Sequence, residues 1–315
     1  MIGDASNSLL AASKEREAQE QHLSGIIIII CFVACSRSHT KLVSRATMHS
    51  QSQSQYELDD ALFEAARDGS ITEIQSLLDR HANIHASDDA GATPLHYVSW
   101  LGHHQCVELL LDRHADIHAP NKNNDTPLHY ASMKGHHQCV ELLLDRHANP
   151  NARNKNNGTP LHYASMKGQH QCIALLLDRH ADIHARNCVS DTPLHLASWK
   201  GHHQSIELLL DQHADIHARN CVSYTPLHNA SWKGHHQCVE LLLDRHADPN
   251  APNGNSETPM HHASSNGHHQ CIEVLIDHGA DKSLTDVRHC VPSLARSCNL
   301  NILPASHPQM SLSLC

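Results

Sequence analysis

The sequence predicts an all-α solenoid of stacked helix-turn-helix units with projecting β-turn loops. Three observations predict it. Thr-Pro-Leu-His begins at Thr93, Thr126, Thr159, Thr192 and Thr225, and Thr-Pro-Met-His at Thr258, always 33 residues apart. Self-similarity at that period marks a repeat array. Each copy then carries an apolar band, Cys106, Val107, Leu109, Leu110 and Leu111 in the first full copy, too wide for a helix with one exposed side. Finally, the chain has only three Trp, five Tyr and two Phe in 315 residues, so its core is aliphatic, as suits small helices packed closely.

Residues 1–56 have no repeat character and read as a disordered leader with a short apolar run over 26–34. A spanning helix needs about 20 apolar residues. Glu15, Glu17 and Glu20 precede the run, where a signal peptide would be basic. The small residues Val33, Ala34, Cys35 and Ser36 keep cleavage or lipid attachment open, so a membrane tether through residues 23–36 stands as an alternative.

The repeat domain is placed at 57–286. A partial first copy, Leu58 to Asp88, contains Ala61-Leu62-Phe63-Glu64-Ala65-Ala66 and Gly69 but lacks Thr-Pro-Leu-His, as suits a terminal cap. In the next copy Thr93 can cap a helix, and Pro94 fits its first position, where no amide hydrogen is needed. That helix runs to Leu101, Gly102 stops it, and a second helix follows through Leu111. Arg113 to Ile117 then lead to a polar, Asn-rich stretch, Asn121 to Asp125, which suits a tight exposed turn. One helix pair cannot bury its own apolar band, so copies must stack into a core that grows by repetition. Residues 287–315, with Pro292, Pro304 and Pro308, read as a disordered tail.

The Thr-Pro-Leu-His-x-Ala, Gly-His, Leu-Leu-Leu and Ala-Asp elements at this spacing resemble ankyrin repeats, with six clear copies from Asp89 and the partial first one. Two departures stand out. The family's Gly after the second helix is His81, His114, His147, His180, His213 and His246 here, and only Gly279 keeps it. A left-handed backbone is expected there, at about 1 kcal/mol for a non-Gly residue. In the loop, Gly91 fits the family, but Asn124, Asn157, Ser190, Ser223 and Ser256 follow it; Asn should tolerate that backbone better than Ser.

The resemblance implies recognition of a protein through loop tips and first helices. On the first helix, Trp100, Met133, Met166, Trp199 and Trp232 share one repeat position, which holds all three tryptophans. Trp dominates interface energies, so this row is a candidate partner-binding ladder. Lys134, Lys167, Lys200 and Lys233 run beside it, and Tyr224 lies in the turn before Thr225. An acidic, partly hydrophobic protein would fit. The competing structural reading is that Trp and Met pack against neighbouring helices and Lys is a solvated edge. Residues 121–139 and 154–172 are nearly identical, so duplication alone can create ladders.

Other function classes find little support. The formal charge of −10 argues against nucleic acid, whose binding needs clustered Lys and Arg. No phosphate loop, nucleophile elbow or paired-carboxylate signature is present, so the chain reads as no enzyme and needs no cofactor. Cys106, Cys139, Cys172, Cys238 and Cys271 share one repeat position, with Ser205 in the sixth. Packed helices sit about 8–10 Å apart, beyond the disulfide limit of about 7 Å. They read as buried thiols in a reducing compartment, hence a cytoplasmic protein. The 34 histidines make a metal-binding, His-rich protein an alternative, but zinc needs three or four convergent ligands and repeat spacing keeps them apart; no metal ligands are assigned. Acid is expected to loosen the fold, as protonated histidines recur along the stack.

Overall fold

The computed structural model describes residues 50–284. Fourteen α-helices follow one another as seven antiparallel pairs: α1 Ser50–Asp68 and α2 Ile71–Asp79; α3 Pro94–Leu101 and α4 His104–Asp112; α5 Pro127–Lys134 and α6 His137–Asp145; α7 Pro160–Lys167 and α8 His170–Asp178; α9 Pro193–Lys200 and α10 His203–Asp211; α11 Pro226–Lys233 and α12 His236–Asp244; α13 Pro259–Ser265 and α14 His269–Asp277. A 3-10 turn, Lys282–Leu284, closes the array. No strand occurs among the described residues. The apolar run 26–34 and the tail lie outside them. The cap helix α1 begins at Ser50, ahead of residue 57, where the repeat pattern begins.

First helices pack on first helices and second on second, which makes two layers. The core is one unbroken apolar column from Leu62 to Leu275, with Leu95, Leu110, Leu128, Leu143, Leu161 and Leu176 at or near zero exposure. Cys106, Cys139, Cys172, Cys238 and Cys271 are buried free thiols in that column. Burial pushes Cys139, Cys172 and Cys271 up to about 12, which keeps them as protonated thiols at neutral pH.

The first helices from α3 to α13 each start with a capping box in which His replaces the usual Glu. His96 Nδ1 accepts the Thr93 N–H at 3.0 Å. With Nδ1 accepting, the proton sits on Nε2, which reaches the Asp125 carbonyl of the next repeat at 3.0 Å. His129, His162, His195 and His228 repeat this link to Gly158, Asp191, Tyr224 and Glu257. The Thr-Pro-Leu-His motif is therefore both a helix cap and a rivet between repeats.

The left-handed residues fall where the sequence placed them. His81, His114, His147, His180, His213 and His246 have φ between 62° and 68°, and Asn124, Asn157, Ser190, Ser223 and Ser256 between 55° and 63°. In each loop an Asx side chain holds the turn: Asn121 Oδ1 accepts the N–H groups of Asn123 and Asp125 at 2.8 and 2.9 Å. Adjacent loop tips are joined by backbone bonds, Lys155 N–H to Asn123 O and Cys221 N–H to Val189 O.

Candidate protein-binding surface

The candidate ladder sits at the last turn of each first helix, just before a glycine. Gly102, Gly135, Gly168, Gly201 and Gly234 all have φ between 72° and 83°, a conformation Gly adopts without the steric cost of a Cβ. They also make room. The next repeat's His136, Gln169, His202, His235 and His268 press against them so closely that an added Cβ would lie within 2.7 Å of the incoming side chain. The four histidines donate Nε2–H to the main-chain carbonyls of Trp100, Met166, Trp199 and Trp232 at 2.9–3.1 Å. Since a carbonyl can only accept, Nε2 carries the proton. Partial burial lowers the pKa of His136, His202 and His235, which keeps them in this neutral form.

The row is not uniform. Trp100, Met133, Met166 and Trp232 are half-buried, whereas Trp199 is 6% exposed and Tyr224 4%. Trp199 and Tyr224 are thus packed side chains, which removes them from the directly accessible part of the expected surface. Trp199 lies under Lys233, whose Nζ is 4.1 Å from the ring centre. Trp100 likewise lies under Lys134 at 4.0 Å, and meets Tyr130 edge-on at 5.2 Å. Tyr224 stacks on His228 at 5.3 Å and packs against His262 at 4.9 Å. Trp100 and Trp199 thus serve as bases for the next repeat's lysine.

Lys134 and Lys167 are exposed, and Lys200 and Lys233 half-exposed. Their setting is electrostatically one-sided. The first helices α3 to α13 contain no Asp or Glu. The second helices contain no Lys or Arg, and carry carboxylates such as Glu108, Asp112, Glu141 and Asp145. On that second layer Arg113, Arg146, Arg179 and Arg245, which follow the helices, reach back to Asp79, Asp112, Asp145 and Asp211 of the preceding repeat at 2.5–3.0 Å. Carboxylates therefore concentrate on the second helices, while first helices α5, α7, α9 and α11 each carry one Lys and no carboxylate.

A second cationic row, Arg153, Arg186 and Arg219, recurs every 33 residues. Arg153, Arg186 and Arg219 are exposed in the loops preceding the first helices. Each guanidinium donates to the carbonyl of the equivalent residue one repeat on, namely Arg186, Arg219 and Pro252, at 2.5–3.1 Å. These bonds fix the three forks in register. Arg153 and Arg219 come near enough to His162 and His228 to disfavour their protonation, though burial is the larger cause. Among the described residues no three His, Cys, Asp or Glu groups converge as a metal site would require.

The family profile described as "Ankyrin repeats (3 copies)" matches residues 31–121, 62–154, 114–187, 147–220 and 194–286. The chain belongs to the ankyrin-repeat family. Ankyrin repeats mediate protein–protein interaction, typically as non-enzymatic scaffolds. No curated protein matches this ankyrin chain. No helix of the described residues is long and apolar enough to cross a membrane.

Proposed function

We infer that this ankyrin array is a cytoplasmic protein-binding scaffold that engages an acidic, partly apolar partner along the ends of its first helices. The observation that carries the reading is the separation of charge: lysines without a single carboxylate on first helices α3 to α13, in a chain of net charge −10. Solvation alone gives no reason for that asymmetry, because either layer would be equally soluble with mixed charge. Apolar area for the partner comes from Trp100, Met133, Met166 and Trp232, which are half-buried and so combine a rigid seat with an accessible edge.

The test is affinity capture from the native cell with the intact chain and two variants. Trp100→Ala with Trp232→Ala, and Lys134→Glu with Lys167→Glu, should each lose a common set of partners. Glu108→Gln with Glu141→Gln, on the second helices, should keep them. Retention of the same partners by all the variants sinks the assignment of this face.

A further inference from the structure

The array fixes not only the sign of its ligand but its spacing. Ladder residues repeat every 33 positions in helices that pack side by side, so successive lysines are separated by one helix spacing, about 8–10 Å. That pitch is held rigidly. Loop tips are hydrogen-bonded from repeat to repeat, and each His or Gln seated on a glycine sets the height of the next first helix. A peptide in the polyproline-II conformation advances about 3.1 Å per residue and turns once every three residues, so every third side chain faces the same way. Three residues therefore span one repeat.

We propose that the first-helix layer takes an acidic peptide segment in the polyproline-II conformation, laid along the array with a Glu or Asp at every third residue facing the lysine row. This rests on the reading of the first helices as the partner-binding face. The ammonium groups of Lys134 and Lys233 are held over the rings of Trp100 and Trp199 at 4.0 and 4.1 Å, so two points of the row are preorganised before a ligand arrives. Arg153, Arg186 and Arg219 recur at the same 33-residue period in the loops before the first helices, each held by its bond to the next repeat's carbonyl. Residues between the carboxylates fall against Trp100, Met133, Met166 and Trp232, and are therefore apolar. A nucleic-acid strand is a poorer match. Its charges recur about every 3.4 Å along the strand, most of them opposite no cation, and carboxylates crowd the second helices.

The experiment uses the full chain and fluorescein-labelled peptides of equal length and equal Glu count, with Glu at every second, third or fourth position and Ala, Leu or Pro between. Fluorescence anisotropy at physiological salt should show the period-three peptide binding about tenfold tighter than the others, a difference of about 1.4 kcal/mol. Lys134→Gln, Lys167→Gln, Lys200→Gln and Lys233→Gln combined should abolish the preference while circular dichroism stays unchanged. Glu108→Gln with Glu141→Gln should leave the preference intact. Equal affinity for the three periods overturns the proposal, as does tighter binding of an oligothymidylate of equal charge. If the peptides fail to discriminate but native partners are still lost on lysine reversal, the face stands and the spacing falls. If those partners are also retained, both fall together.

Discussion

His136 donates its Nε2–H to the main-chain carbonyl of Trp100 at 2.9 Å, across the boundary between two repeats. The imidazole can reach that carbonyl only because Gly102 has no side chain: a Cβ there would lie 2.5 Å from His136 Nδ1. Position and shape of the candidate surface are therefore properties of repeat pairs.

Gly102→Ala should destabilise the array more than Gly267→Ala. Both glycines have positive φ, +83° and +72°, but a Cβ on Gly267 meets nothing within 4 Å. The second substitution should cost about 1–2 kcal/mol from the left-handed backbone alone, and the first about 1–3 kcal/mol more from displacing His136. Urea midpoints for the two variants check this, and equal shifts would show that the seat of His136 is not under steric control.

Stability should fall as pH falls below the ordinary histidine range. Burial holds His96, His129 and His162 at about 4 and His228 at about 3. The unfolded chain takes up these protons near about 6.5, so the folding contribution is full above that value and is lost progressively down to the folded pKa values. Each group loses about 1.4 kcal/mol per pH unit inside the window. The leading cause is removal of the imidazole from water; repulsion between histidines, the reason expected from the sequence, is a lesser one. Thermal melts followed by circular dichroism should show a falling midpoint between neutrality and about pH 5, and an unchanged midpoint would refute it.

His114→Gly and His147→Gly should stabilise the array. Both histidines are exposed and strained at φ 64° and 67°. Relief of about 1–2 kcal/mol, less the about 0.4–1 kcal/mol by which glycine loosens the unfolded chain, leaves a gain of about 0.5–1 kcal/mol per site. A raised urea midpoint for the double variant is the expected readout.

Ser205→Cys should also stabilise. Ser205 occupies the position of the buried cysteines, and its Oγ is buried with no hydrogen-bond partner. Removing an unsatisfied hydroxyl is worth about 1 kcal/mol or more. In the same repeat Gln212 stands where other repeats have the Arg that pairs with a preceding Asp. Gln212→Arg should add at most about 1 kcal/mol at this exposed site, and the gain should shrink in high salt.

Much of the fold was legible because each signal was local and repeated. Thr93-Pro94 marks a helix start, Gly102 a helix stop, and the Asn-rich stretch from Asn121 a turn, and every one of these needs only neighbouring residues to act. His81 and its counterparts could be placed in the left-handed region because the family's Gly defines the backbone there. The site was legible only as rows. Helical position identifies which residues share a face, but Trp100 and Trp199 share that position, both lie under the next repeat's lysine, and still differ in burial. Tyr224 was expected at the surface of a turn and is packed in an aromatic cluster with His228 and His262. Arg153, Arg186 and Arg219 form a row that helical periodicity does not reveal, because they lie in loops.

The sequence by itself determined the period, the helix pairs, the caps and the row of lysines at one helix position, since these depend on residue type and spacing along one chain. Only the tertiary structure decided which ladder side chains remain accessible, where the shared histidine protons sit and how rigidly the cationic rows are spaced. The physical reason is that those properties arise between residues about one repeat apart, where the packing of one module against the next fixes burial and hydrogen-bond partners.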